Sequence, residues 1–207
     1  MMKNSEWGAV AYLAQSTYGK NAEVWINPNS NYLTGHAGTG ASVNSTTSTT
    51  DYTSTNGQQA STTGNVYGIY DMSGCGYEYT ASYVNNGHDY ITNTSYGGVI
   101  GDTDTDNSPL HLKQVYGSKG SGGTSDKATD YEYNKAVYGD AVYETSSSAS
   151  GSDSWYKDYS YFPFSSSPFF QRGGSCGYTS SAGLFCFNHS AGGAYTDSGF
   201  RAVSPAL

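Results

Sequence analysis

The chain is short of charge. Only 13% of its 207 residues are Asp, Glu, Lys or Arg, about half the usual share for a soluble domain. Arg172 and Arg201 are its only arginines, and the net charge is −8. Nucleic-acid binding needs clustered cations to replace condensed counterions, so this composition excludes it. Long apolar runs are also missing. None approaches the roughly 18 residues of a membrane span. No charged-then-apolar start marks a signal peptide. The sequence is thus consistent with a cytoplasmic protein, one exported without a cleaved signal, or one with further chain upstream. Cysteine is scarce and odd in number: Cys75, Cys176 and Cys186 rule out a full disulfide framework. One pair with one free thiol fits, and so do three unpaired thiols.

Apolar residues are few too, at 36%. Low hydrophobicity argues for disorder only when charge is high and aromatics are rare. Here aromatics reach 15%, with 21 Tyr and 27 Gly. Tyrosine buries its ring while its hydroxyl stays wet, so it supplies core and surface together. The composition predicts one folded, loop-rich domain spanning 1–207.

The expected architecture is α+β: one or two helices, many short strands and about half the chain in loops. A first helix is predicted near the N-terminus. Asn4 or Ser5 can cap it, Glu6 suits its positive end, and Trp7, Val10, Leu13 and Ala14 keep helical spacing. Gly19 offers a stop. Glu23–Ile26 is a short strand candidate. The stretches 42–64, 101–126 and 146–154 are almost wholly polar and read as surface loops. Ala128–Tyr143 has mixed helical character. Beyond Phe169 the chain alternates glycine, small polar and aromatic residues. Ala182–Phe187 and Phe200–Val203 read there as strand pieces.

Most local motifs carry a bland reading. Asp102, Asp104 and Asp106 open like a calcium loop, but Asn107 and Lys113 stand where it needs Gly and Glu. A solvated acidic loop fits better. His36, His88, His111 and His189 have no zinc-ligand spacing. No nucleophile elbow or phosphate loop occurs. The Asn-x-Ser/Thr triplets at Asn44, Asn93 and Asn188 are unsurprising in a chain this rich in Ser and Thr. No cofactor or metal is implied by these residues.

Two stretches rise above that background. One runs Gly64-Asn65-Val66-Tyr67-Gly68-Ile69-Tyr70-Asp71-Met72-Ser73-Gly74, followed by Tyr77-Glu78-Tyr79. The other is Arg172-Gly173-Gly174-Ser175, followed by Gly199-Phe200-Arg201-Ala202-Val203. With Ser5-Glu6-Trp7 on the first helix, these resemble the formylglycine-generating-enzyme (sulfatase-modifying factor) family. Order and relative spacing fit over nearly the whole chain, although the polar stretches between the motifs are unmatched. Tyr77 and Tyr79 stand where the family often has Trp. Gly68 and Gly74 would permit turns that a side chain blocks. Both arginines fall inside the motifs, where a rigid planar guanidinium suits a structural brace; a ligand-binding arginine is the rival reading. The resemblance implies a loop-rich variant of the C-type lectin fold. The chain opens at what resembles an internal helix of that family, leaving room upstream for strands or an anchor.

The family resemblance leaves the function open between classes. Its oxidases use a cysteine pair about five residues apart, soon after the Arg-Gly-Gly-Ser motif, to bind copper and oxidise a substrate thiol. Here Cys176 follows Ser175 directly and Cys186 lies ten further on, so that pattern is broken. The C-terminal cassette more closely resembles the variable proteins of diversity-generating retroelements, which share the fold. In those systems template adenines are copied unfaithfully. Asn codons then become many residues, but never Lys, Glu, Gln, Met or Trp. Those five types make up 23 of the 207 residues, yet none occurs from Ser175 to Ser198. A Gly/Ser-rich loop would avoid them too.

This resemblance implies ligand-facing, variable positions at Ser175, Cys176, Tyr178, Cys186, Asn188, His189, Gly193, Tyr195, Asp197 and Ser198. It implies scaffold positions at Arg172, Gly173, Gly174, Ala182, Gly183, Phe185, Phe187, Ala194, Phe200 and Arg201. Strand alternation would place Cys186 opposite two buried rings. Tyr, Ser, Gly and Asn also make up antibody paratopes; surface filler is the bland alternative for Tyr178 and Tyr195. The expected function is recognition of a protein or glycan target at a cell or phage surface, without catalysis. A thiol oxidase is the runner-up, and a non-variable or pilin-like structural domain is a third reading.

Overall fold

A computed structural model describes residues 1–38, 50–93, 95, 112–120, 126–147 and 154–204. The acidic run Asp102–Asp106, His111, Asn44 and much of the three polar stretches lie outside the described residues. Within them the chain is mixed α and β, with long irregular connections.

Helix α1 spans Asn4–Gln15, with Lys3 as its cap residue. The Glu6 carboxylate accepts the Lys3 backbone N–H at 2.8 Å. The expected cap, Asn4, lies instead inside the first turn and is fully buried. Its amide donates to the Tyr116 hydroxyl and to the Asp140 carbonyl, both at 2.9 Å. Tertiary partners have taken a side chain that local chemistry assigns to the helix end. The buried face runs Trp7, Ala11, Ala14, and Leu13 is exposed rather than part of the stripe. The helix stops before Gly19, where the Ser16 hydroxyl and N–H both close on the Leu13 carbonyl.

A two-stranded ladder pairs β1 (His36–Ala37) with β2 (Thr50–Asp51). The main sheet centres on β3 (Tyr77–Asn85). On one side β3 pairs antiparallel with β5 (Phe169–Gly173), which pairs antiparallel with β6 (Gly183–Ser190). Its other side is filled in sections. β7 (Ser198–Phe200) runs parallel along Tyr77–Tyr79, and β4 (Gln114–Gly117) runs parallel along Ser82–Asn85. Between them Ala81 N–H donates to the Met2 carbonyl, and Met2 N–H donates to the Arg201 carbonyl, each at 2.8 Å. The flanks of β3 are therefore paired along most of its length, which removes an exposed edge.

Short helix α2 (Asp89–Thr92) follows β3. Helix α3 spans Lys127–Asn134, capped by the Asp126 carboxylate on the N–H groups of Ala128 and Thr129. It ends well before Tyr143, because the following turns carry Asp140 and Val142 into the core. Two apolar clusters fill the interior. One joins Trp7, Ala11 and Ala14 of α1 to Met72, Leu184 and Phe185. The other stacks Val84, Tyr116, Phe162, Phe170 and Phe187.

The polar stretches are not purely surface. Ala60, Ser61 and Thr62 are buried, and so are Tyr116, Ser146 and Ser154. Hydrogen bonds make this tolerable. The Ser160 hydroxyl, for instance, accepts the Ser146 N–H at 2.8 Å and donates to the Ser146 carbonyl at 2.6 Å. The predicted strand at Glu23–Ile26 is reduced to isolated bridges at Ile26 and Asn27. The final strand starts at Ser198, before Phe200, and does not reach Val203. Among the described residues no helix is long and apolar enough to cross a membrane.

Candidate functional site

The C-terminal segment is built on a bulge. β5 and β6 pair in regular register up to Arg172 with Phe187, and the next pair is Gly173 with Gly183. Leu184, Phe185 and Cys186 are therefore extra residues on β6, and such an insertion breaks alternation. All three are buried, with Phe185 and Cys186 fully so. The Leu184 carbonyl accepts the Trp7 indole N–H at 2.8 Å and the Arg172 guanidinium at 3.3 Å. Arg172, also fully buried, donates to the Ala141 carbonyl at 3.1 Å and lies over the Phe187 ring, 4.7 Å from its centroid. Burial lowers its pKa to about 10. The Asp158 carboxylate accepts the Phe185 N–H at 2.9 Å, and burial lifts its pKa to about 7.

The bulge explains the main departure from the expected surface. Cys186 was expected to face outward, but an added Cβ on Gly174 would lie 3.1 Å from its Sγ. Burial drives its pKa upward. Ser175 and Cys176, also expected outward, are buried where the chain enters a tight turn over Cys176–Ser181. Tyr178 is half-buried, its ring edge-on to Tyr77 and Tyr159, with centroids 5.4 and 4.6 Å away. Two expected scaffold residues are corrected the other way: Phe200 is 64% exposed and Ala194 is exposed. β7 contributes its backbone to the sheet and leaves the Phe200 ring outside. Gly173, Gly174, Ala182, Gly183 and Phe187 are buried.

Past Phe187 the segment opens outward. Asn188, His189, Gly193, Asp197 and Ser198 are half-buried and Tyr195 is exposed. The Tyr79 hydroxyl contacts the Ser190 hydroxyl at 2.5 Å and donates to the Gly193 carbonyl at 2.8 Å, fixing the turn after β6. Gly192 makes that turn at φ 89°, and a Cβ there would lie 2.9 Å from the Phe169 ring. Tyr77 N–H then donates to the Asp197 carbonyl at 2.8 Å, and the Gln171 amide donates to the Ser198 hydroxyl at 3.2 Å.

Three grooves meet on this ridge. One of about 350 Å³ brings together His189, Tyr195, Asp197 and Ser198 with Tyr77 and Gln171. A larger one, about 820 Å³, has Tyr79, Tyr83, Tyr90, Phe169, Gly193 and Tyr195 along its walls. A third, about 360 Å³, lies between Tyr32, Asp71, Cys75, Asp197 and Phe200. Tyr195 borders the first two, and Asp197 and Ser198 border the first and third. Tyr77, Tyr79, Gln171 and Ser190 also line this surface but were not among the predicted site residues. Their signal was the period-2 pattern of β3 and β5, which sets Tyr79 and Gln171 opposite one another.

The His189 ring packs against Tyr161 and Phe164, with centroids 4.5 and 5.0 Å away. Its Nδ1 is buried with no hydrogen-bond partner among the described residues. Burial, aided by the Lys127 charge, lowers its pKa to about 4, so the imidazole is neutral at physiological pH. Arg201 makes a two-pronged ion pair with Glu78 and donates to the Tyr70 carbonyl at 3.0 Å. That pairing ties the end of the cassette to β3. Among the described residues no group of three or more His, Cys, Asp or Glu side chains is placed to hold a metal ion.

Comparison with protein-family models, with curated proteins and with solved structures finds no match to the chain.

Proposed function

We propose that the chain is a C-type-lectin-like domain of the formylglycine-generating-enzyme subtype, acting as the variable binding protein of a diversity-generating retroelement. It recognises a protein or glycan on another surface and catalyses no reaction. Its place would be a cell surface or a phage particle. One observation carries the reading: within the single segment 183–198, the first part is locked inside and the second part opens onto three adjoining grooves. A display scaffold needs that division, since replaceable side chains must not hold the fold together.

The motif residues support the family reading. Trp7 and Arg172 meet at the Leu184 carbonyl, and Arg201 pairs with Glu78. Gly74 N–H donates to the Gly173 carbonyl at 2.9 Å, and Gly74 has φ 77°. The segments that carry the resemblance are thus bonded to each other. Burial narrows the proposed ligand-facing set to Tyr178, Asn188, His189, Gly193, Tyr195, Asp197 and Ser198.

The test is genetic and direct. The source DNA should hold a second copy of the Ser175–Ser198 coding region, differing from the first only at adenines of the copy. A locus with no such repeat and no adjacent reverse transcriptase would overturn the proposal. Oxygen consumption with a cysteine-containing peptide and copper, lost in Cys176→Ser, would replace it with the oxidase reading.

A further inference from the structure

The sequence leaves the pairing of the three cysteines open, and the fold distinguishes among them. Cys186 is fully enclosed behind Gly174. Cys75 and Cys176 lie together. Cys176 N–H donates to the Cys75 carbonyl at 3.0 Å. Residues paired by backbone N–H···O bonds in antiparallel sheet have Cα atoms about 5.5 Å apart, inside the roughly 4.4–6.8 Å that disulfides span. The Tyr32 side chain lies near both thiols, which add to desolvation in pushing its pKa upward. Cys75 and Tyr32 line one groove, about 360 Å³ in volume. Cys75 thus faces an open groove, with Cys176 buried directly beside it.

The backbone around this pair is held in place. Cys75 has φ 63°, in the left-handed region that residues with a Cβ seldom occupy. Its N–H is bonded to the Asn27 carbonyl at 2.7 Å, and its neighbour Gly74 to the Gly173 carbonyl at 2.9 Å. Three backbone hydrogen bonds thus hold Cys75 in place, two of them to the start of the cassette, before any covalent bond forms.

We propose that Cys75 and Cys176 are a disulfide-forming site, closed by a small-molecule disulfide such as oxidised glutathione, with Cys186 left as a free thiol. Cys75 is the more exposed of the two and reacts first. Its thiolate attacks one sulfur of oxidised glutathione, whose S–S bond breaks and releases one glutathione. The Cys176 thiolate then attacks the Cys75 sulfur of the mixed disulfide and expels the second glutathione. Two protein thiols are oxidised to one S–S bond, and their two hydrogens end on two glutathione molecules. Burial pushes the Cys75 thiol up to about 12, so the exchange is slow at neutral pH and quickens under alkaline conditions. The bond would join the Gly64–Gly76 motif to the beginning of the variable segment. It closes a loop of about 100 residues, a length at which the restriction of the unfolded chain is large.

The test uses the whole wild-type chain, incubated with oxidised glutathione at mildly alkaline pH. The intact mass should fall by two hydrogens, leaving a single thiol titratable in denaturant. Non-reduced peptide mapping should join the Cys75 and Cys176 peptides. The thermal midpoint should rise by at least several degrees over the reduced protein. Cys186→Ala should form the same link; if that variant does not fold, the wild-type peptide map decides alone. Stable glutathione adducts without closure, a link involving Cys186, or three remaining thiols would overturn the proposal. The result is independent of the diversification reading, which stands or falls on the DNA repeat.

Discussion

Leu184–Phe187 and Asn188–Ser198 are consecutive, yet they play opposite parts. The first stretch is wholly buried around a carbonyl gripped by Trp7 and Arg172. The second is half-buried or exposed at every residue but Ser190 and borders three grooves. Composition separates them: Leu-Phe-Cys-Phe is wholly apolar, whereas the second stretch is mostly small and polar. Cover differs in step with it. Up to Phe187 the strand has the helix α1 cluster and the Phe162–Phe170 stack against it, and residues 159–161 bridge its outer edge. Beyond Phe187 that cover thins: Tyr161 and Phe164 still pack on the His189 ring, and from Ala191 to Ser198 every residue is half-buried or exposed.

Substitutions can break this contrast at either end. The largest effect should come from Trp7→Ala, which removes a fully buried ring and one of two donors on the Leu184 carbonyl. A loss of about 3–5 kcal/mol is expected, read from urea unfolding. A cost under about 1 kcal/mol would mean that the inner stretch is not the frame. Next comes Arg201→Ala, which leaves Glu78 half-buried without its cation and frees β7 from the Tyr70 carbonyl. About 1–3 kcal/mol is expected for a partly desolvated charged pair, smaller at high salt.

A pH comparison sharpens the same contrast. The native pKa of His189, about 4, lies below its ordinary value of 6.5. The unfolded chain therefore binds more protons in that window, and stability is lost as pH falls from about 6.5 toward 4. Asp158 behaves oppositely. Its native pKa of about 7 exceeds the ordinary 3.8, so the folded chain holds the extra proton, and stability is lost as pH rises through that range. The two slopes oppose each other in the wild type. His189→Gln should make stability fall more steeply with rising pH than in the wild type, and Asp158→Asn should make it rise relative to the wild type. Unfolding free energies measured across this window would check both. Equal slopes in all three proteins would contradict the buried placement of the two groups.

The smallest effect should be Tyr195→Ala, within about 0.5 kcal/mol of wild type, as for exposed residues without special roles. Differential scanning calorimetry would show it. A large drop would move Tyr195 into the frame and weaken the display reading.

Part of this was legible in advance. Helix α1 and the strand around Phe185–Phe187 follow from spacing and turn residues, and the outward position of Tyr195 from the resemblance of the cassette to variable proteins. Arg172 and Arg201 stand out as the only arginines of the chain, both inside the motifs that carry the resemblance. The rest depended on contacts between distant segments. Asn4 left its capping role for Tyr116 and Asp140, more than a hundred residues away. Strand β4 was hidden in a polar stretch, because Tyr116 buries its ring while its hydroxyl donates to Asp140 at 2.6 Å. Cys186 was placed outward by a period-2 rule that its strand does not keep, since register against a partner strand is invisible in one sequence. The Gly173–Gly183 pairing that creates the bulge has no local signature.

A substitution scan across Ser175–Ser198, read by protease resistance of the intact chain, goes straight to the main point. Most replacements should survive at Asn188, His189, Tyr195, Asp197 and Ser198, whereas those at Leu184, Phe185, Cys186 and Phe187 should be degraded. Equal sensitivity along the whole stretch, or a reversal of that order, would show that no separation exists between what supports the molecule and what it presents.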